Sequence, residues 1–176
     1  MQQRFQSRIQ FIVGICLCLM LAADGDAQNP AVAQATPTQE KVATSHASGT
    51  FDVKLTPQAA EDGADAGWGR MSIDKQFHGD LEGSSKGYML SSAATVVKGS
   101  GGYVAMERVT GTLKGRAGGF VLQHSGTLTR GTPQLSVTVV PDSGTGQLAG
   151  ISGTFTIKID GGKHSYDFEY TMPEMP

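Results

Sequence analysis

Cysteine is missing from everything that follows residue 27, because Cys16 and Cys18 both lie in one apolar run near the N-terminus. A domain without cysteine has no disulfide bonds, so burial of apolar surface must hold it together, and this requires a reasonable chain length. Residues 28–176 supply 149 residues, enough for one domain and too few for two ordinary ones. We therefore expect a single domain with one hydrophobic core.

A strong excess of charge of either sign is also missing. Because residues 1–27 hold two Arg and two Asp, the rest of the chain keeps 12 basic and 14 acidic side chains. Nucleic-acid binding requires clustered Lys and Arg that neutralise phosphates, and here the basic residues are scattered among acidic ones. The composition therefore argues against a nucleic-acid partner, and no motif indicates a cofactor.

The N-terminus has the pattern of a secretory signal peptide. Arg4 and Arg8 precede an uninterrupted apolar run over 11–23, and small residues at 25–27 suit a signal peptidase. The run is shorter than the roughly 20 residues of a transmembrane helix, which favours cleavage after about Ala27 over an uncleaved anchor. We expect a periplasmic or secreted protein that leaves the membrane after cleavage, with residues 28–47 as a flexible tether.

From residue 49 onward, the hydrophobic pattern repeats every two residues, and no window shows a helical apolar stripe. Glycine is abundant here: 22 of the 24 glycines follow residue 27, which suits many turns and bends. The pattern predicts eight β-strands, at approximately 49–56, 69–78, 85–93, 102–113, 118–130, 134–140, 151–160 and 163–172.

Eight antiparallel strands with short links must close or stack to protect their edges, and eight strands can close around a filled lumen or one small ligand. We predict that residues 48–173 form an all-β fold, a single eight-stranded antiparallel closed barrel rather than a sandwich. The clearest local signal is the turn at Asp160-Gly161-Gly162-Lys163, which predicts a hairpin in which Phe155 faces Phe168.

The segment 103–130 contains the main candidate site. With a turn at Lys114–Ala117, facing residues have numbers that sum to 231, and Glu107 then faces His124. Both share an apolar stripe, so a stripe that faces the lumen would bury them. A buried carboxylate needs a partner, so the pair is either a core ion pair or a catalytic site that moves a proton. The stripe also holds Tyr103, Val109, Phe120, Leu122 and Leu128.

Further candidates share the predicted inner face. Lys75 alternates with Met71, Ile73 and Phe77, so it points inward with Glu107 as a partner, unless a bulge turns it outward. Four tyrosines suit an apolar ligand with a few polar atoms, although tyrosines also close barrel ends. The histidines lack metal-ligand spacing, so no metal site is predicted. The candidate ligand-binding residues are Lys75, Tyr88, Tyr103, Tyr166 and Tyr170.

Three long segments carry a family resemblance: GRMSIDKQFHGDLEGSSKG at 69–87, GYVAMERVTGTLKGRAGGFVLQHSGT at 102–127, and LSVTVVPDSGTGQLAGISGTFTIKIDGGKHSYDFEY at 135–170. The chain resembles DUF3224, a bacterial family of unknown function. The resemblance implies a closed antiparallel barrel similar to that of allene oxide cyclase and related in shape to lipocalins. It implies no activity, because the family has none established.

Three functions follow as hypotheses. The first is a binding module that holds a small, mainly apolar molecule in the lumen. The second is a cofactor-free cyclase or isomerase in which Glu107 and His124 handle the proton. The third is a filled barrel that acts through its surface, because several phenylalanines are able to pack the lumen shut. Those phenylalanines are Phe51, Phe77, Phe120, Phe155 and Phe168.

Overall fold

The computed structural model describes residues 43–59, 68–94 and 96–173, which form nine β-strands and no helix. The predicted signal peptide at 1–27 and the tether up to residue 42 lie outside the described residues. In the described part, no helix has the length and apolarity needed to cross a membrane. The strands are β1 (Ser45–Pro57), β2 (Trp68–Gly79), β3 (Leu81–Ala93), β4 (Gly101–Leu113), β5 (Arg116–Thr129), β6 (Thr132–Val139), β7 (Thr145–Gly146), β8 (Ser152–Asp160) and β9 (Lys163–Thr171).

Eight of these strands close into an antiparallel barrel, as predicted. The order is β4-β3-β2-β1-β9-β8-β6-β5, and pairing of β4 with β5 completes the ring. β7 is an additional two-residue strand, which pairs with β5 at Gly118 and Gly119. β1 begins at Ser45, inside the segment predicted as tether, because it pairs with β9 from Ser45↔Tyr170 onward.

Seven of the eight seams of the barrel are long ladders, with between 7 and 13 paired residues each. The seam between β6 and β8 differs, since Thr138↔Thr154 is its one paired position. The barrel is therefore closed in topology but weakly paired along this seam.

The β8–β9 hairpin has the predicted register, with Phe155 opposite Phe168. Its two turn residues, Gly161 and Gly162, have φ values of 54° and 80°. Positive φ at both central residues is what the primed hairpin turn requires, and glycine adopts it without steric cost. The sequence therefore specifies this hairpin unambiguously.

The predicted register of the β4–β5 hairpin is wrong by two residues. Glu107 faces Leu122, and His124 faces Ala105. The turn consists of two residues, Lys114 and Gly115, with φ values of 46° and 83°, rather than a four-residue loop. An error of two residues leaves every side chain on its predicted face, because strand side chains alternate with a period of two. Glu107 and His124 are consequently both buried, at 1% and 4% exposure.

The predicted inner face of β3 is also wrong. Tyr88 and Leu90 lie on the outside of the barrel and are 61% and 40% exposed, whereas Ser85 is buried. The inner positions of β3 next to Ser85 are glycines, Gly83 and Gly87. Apolar alternation misidentified this strand because three successive inner positions, Gly83, Ser85 and Gly87, carry small residues.

One half of the barrel is filled by aromatic side chains. Phe168 is central: its ring lies 4.4 Å from that of Phe155, 5.0 Å from that of Tyr170 and 5.6 Å from that of Phe120. Leu148 and Ile151, from the segment between β7 and β8, are each 1% exposed and join this core. This end of the barrel is therefore closed.

Candidate functional site

Glu107 lies midway along β4, points into the barrel and accepts three hydrogen bonds. Lys75 Nζ lies 2.7 Å from its Oε1, and His124 Nε2 lies 2.8 Å from the same oxygen. Ser85 Oγ donates to Oε2 at 2.6 Å. The three partners come from β2, β5 and β3, so one carboxylate joins four strands at the centre of the lumen.

The three donors keep Glu107 ionised in spite of its burial. Burial by itself raises the pKa of this carboxyl group, but the hydrogen bond from His124, the charge and hydrogen bond of Lys75, and the hydrogen bond from Ser85 lower it more. The result is a pKa of about 2, against an ordinary value of 4.5. An ionised carboxylate only accepts hydrogen bonds, so the Nε2 of His124 carries the hydrogen in this contact.

The ammonium group of Lys75 has aromatic neighbours as well as the carboxylate. Its Nζ lies 4.8 Å from the ring centroid of Phe51 and 5.9 Å from that of Phe77. Ring faces attract cations, and this attraction is larger away from water. The inward orientation of Lys75 is therefore stabilised by both charge pairing and cation–π contact.

A cavity of about 160 Å³ lies in the other half of the barrel. An apolar cavity of about 150 Å³ is large enough for a molecule the size of benzene. Leu55, Leu135 and Ile159 line it and are 46%, 42% and 66% exposed, so the cavity opens to solvent at these strand ends. The lining is Phe51, Val53, Leu55, Ile73, Lys75, Met89, Tyr103, Ala105, His124, Leu135, Ile157, Ile159 and His164.

The predicted ligand-binding residues separate into three groups. Lys75 and Tyr103 line the cavity, where burial and the nearby charge of Glu107 raise the pKa of Tyr103. Tyr166 and Tyr170 lie in the aromatic half instead, and the hydroxyl of Tyr166 accepts a hydrogen bond from the Leu81 N–H at 2.9 Å.

Tyr88 is on the outer surface, where Arg70 lies 6.0 Å from its ring centroid. The expectation that it faces the lumen was wrong. Its side chain therefore cannot contribute to the cavity that Lys75 and Tyr103 line.

Two residues of the site were missed from the sequence. Ser85 was detectable, because it alternates with Leu81, the first buried residue of its strand. His164 was detectable as well, because it alternates with Tyr166 and Phe168 on the inner face of β9. It lines the cavity, and its ring lies 5.0 Å from that of Phe51.

Within the described residues, no group of three or more His, Cys, Asp or Glu side chains is placed to hold a metal ion. A small molecule in the cavity would contact a largely apolar wall, on which the ammonium group of Lys75 and the imidazole of His124 lie side by side.

These features define a class: a closed antiparallel β-barrel with an ion-paired cluster at its centre, one filled half and one open apolar cavity. The chain belongs to the family described as "Protein of unknown function (DUF3224)", whose model matches residues 47–170. A solved structure, of a protein with unknown function from the DUF3224 family of Shewanella oneidensis MR-1, is similar to it at 48% identity and a TM-score of 0.69. The match covers 76% of this chain and 100% of that one. No curated protein matches the chain.

Proposed function

We propose that this protein binds a small, mainly apolar molecule in the open half of the barrel. The observation that supports this is the cavity of about 160 Å³ with Lys75 and His124 on an otherwise largely apolar wall. Small-molecule sites combine such a wall with a few polar groups that fix orientation. The apolar part of the ligand contacts the side chains near the rim, and its polar atoms contact Lys75, His124 and Tyr103.

Native mass spectrometry of the purified protein tests this by identifying any compound that co-purifies. Binding of benzyl alcohol, a neutral probe of suitable size, is then compared between two variants. Val53→Phe fills the cavity, because Val53 lines it, and should weaken binding at least tenfold. Val104→Phe adds the same group on the outer surface, where Val104 is 56% exposed, and should leave binding unchanged. Equal binding by both variants would place the ligand elsewhere.

A second candidate is a cofactor-free cyclase or isomerase that uses the same cavity. His124 favours it, because this imidazole is buried, oriented by Glu107 and adjacent to the cavity. With a pKa of about 2, Glu107 would orient His124 rather than take a proton itself at neutral pH. His124→Gln should then slow turnover of a substrate at least tenfold, about 1.4 kcal/mol in barrier, whereas a binding protein would change only in affinity.

Export from the cytoplasm is part of the same proposal. The apolar run at 11–23, preceded by Arg4 and Arg8, supports it. Mass spectrometry of the protein from the periplasm or medium should find a mature N-terminus close to Gln28. An intact N-terminus in the cytoplasmic fraction would contradict it.

A further inference from the structure

The second ring nitrogen of His124 is not used by the cluster. Nε2 donates to Glu107, while Nδ1 makes no hydrogen bond to another described residue. Among the described residues, Arg116 Nε is the one side-chain nitrogen or oxygen that is fully buried and has no hydrogen-bond partner. Nδ1 of His124 also has no partner among these residues but is not fully buried, so part of its surface is accessible. Because the ring lines the cavity, Nδ1 is open to a bound molecule as an acceptor or, after protonation, as a donor.

Lys75 also has donors that the cluster does not use. An ammonium group has three N–H bonds, and the one hydrogen bond of Lys75 in the described structure goes to Glu107. Lys75 Nζ and His124 Nε2 contact the same carboxylate oxygen, and both side chains line the cavity, so the ammonium group and the imidazole ring are neighbours there. The cavity therefore presents a positive donor beside a group that can take up a proton.

Charge balance decides which ligand suits this arrangement. The charges of Lys75 and Glu107 cancel when His124 is neutral. A carboxylate ligand then adds one uncompensated negative charge to a largely apolar cavity, which is unfavourable. Protonation of His124 restores neutrality, and imidazole is the side chain suited to taking up a proton near neutral pH.

Other titratable side chains lie beside His124 or on the cavity wall, and His164 is the second imidazole among them. β4 contributes Tyr103 in addition to Glu107, β2 contributes Lys75, and β9 contributes His164 at the cavity wall. The lining residues of β1, β6 and β8 are apolar.

We propose that the ligand of this cavity is a small carboxylic acid with an apolar body, bound as the carboxylate between Lys75 and a protonated His124, with uptake of one proton. The carboxylate accepts hydrogen bonds from Lys75 Nζ and His124 Nδ1, and the proton resides on Nδ1. This inference rests on the proposed function, since it names the chemical class that the same cavity binds.

Three probes with one ring and different charge test it: benzoate, benzyl alcohol and benzylamine. Calorimetry in buffers of different ionisation enthalpy should show uptake approaching one proton per benzoate bound and none for benzyl alcohol. Benzoate affinity should rise as the pH falls from 8 to 6, with a limit of about tenfold per pH unit for one linked proton. Benzylamine should bind at least tenfold more weakly than benzoate.

His124→Gln is the matched variant, because the glutamine amide is able to donate to Glu107 and cannot titrate. It should bind benzoate more weakly than the wild type does, without proton uptake and without the pH dependence. The proton count on the wild type decides the matter even if this variant does not fold.

Each contrary outcome has a distinct meaning. Benzoate binding without proton uptake would overturn the protonated His124, and benzyl alcohol binding without benzoate binding would overturn the acid ligand. Both outcomes would leave the proposed cavity binding intact. Failure of all three probes to bind would overturn both proposals.

Discussion

Lys75 and Glu107 form an ion pair across a strand that lies between them. They belong to β2 and β4, and β3 runs between these strands with Ser85 opposite Lys75 and Gly87 opposite Glu107. The 2.7 Å contact is possible because β3 offers a hydroxymethyl group and a bare backbone at these two positions. The small residues of β3 therefore determine the geometry of the site as much as the charged ones do.

Gly87→Ala should destabilise the fold. A Cβ at residue 87 would lie 2.6 Å from Glu107 Cα and would overlap the carbonyl oxygen of Met106, and neither is a mobile side-chain end. We expect a loss of about 1–3 kcal/mol in the free energy of unfolding, measured with urea. Gly102→Ala is the control, since its Cβ would meet nothing closer than 3.4 Å and should change stability by about 0.5 kcal/mol or less. Equal effects of the two substitutions would contradict the close approach.

Glu107→Gln should be among the most destabilising single substitutions. It leaves the buried ammonium group of Lys75 without a countercharge, which typically costs about 3–5 kcal/mol. The control is Asp74→Asn, which breaks the exposed ion pair between Asp74 and Lys86, 3.2 Å apart. Exposed pairs contribute about 1 kcal/mol or less, so this variant should unfold nearly as the wild type does. Urea unfolding at pH 7 compares them, and a loss below about 1 kcal/mol in Glu107→Gln would show that the pair is not structural.

Glu107 should also make the protein sensitive to acid. The pKa of this group in the folded protein, about 2, is below its ordinary value of 4.5, so ionisation favours the folded state. Its contribution is complete above pH 4.5, decreases as the pH falls toward 2 and is absent below that. A shift of this size corresponds to about 3 kcal/mol. Unfolding free energies measured from pH 6 to pH 2 should therefore fall more steeply for the wild type than for Glu107→Gln, and parallel profiles would be incompatible with this role.

Two leucines distinguish the closed half of the barrel from the open one. Leu148 is 1% exposed at the closed end, and Leu135 is 42% exposed at the cavity rim. Leu148→Ala should cost about 2–5 kcal/mol, because it leaves a void in packed surroundings. Leu135→Ala should cost clearly less, since much of its side chain already contacts water. Thermal and urea unfolding give both values, and a reversed order would mean that the cavity end is the better packed one.

The period-two pattern was sufficient to predict the barrel, because inward positions on most strands carry large apolar side chains that are buried in the barrel interior. It failed on β3, where the middle of the inner face carries small residues and Tyr88 and Leu90 are outside. Local hydrophobicity cannot identify an inner face on which small residues leave room for side chains of other strands. Side chains from β2 and β4 occupy this room, so the inner face of β3 depends on residues that are distant in sequence.

Turn chemistry explains the contrast between the two hairpins. Gly161-Gly162 admits one obvious primed turn, so its register was predicted correctly. In the other hairpin, Lys114 adopts a positive φ that glycine usually supplies, and nearby residues 115–119 contain three glycines that offer competing turns. The error of two residues preserved the faces and so preserved the candidate site. The cavity itself was not predictable, because it depends on how thirteen side chains from different strands fill one space.

Because β6 and β8 share a single paired position, the barrel is almost unpaired along this one seam. Widening any other seam would break a ladder of at least seven paired positions, whereas this seam has one position to lose. Leu135 on β6 and Ile157 and Ile159 on β8 line the cavity along it. Backbone hydrogen bonds therefore constrain the barrel least on the side where the cavity lies. If the cavity binds a ligand as proposed, we expect molecules bulkier than benzene to be accommodated by separation of β6 from β8, while the aromatic half keeps its shape.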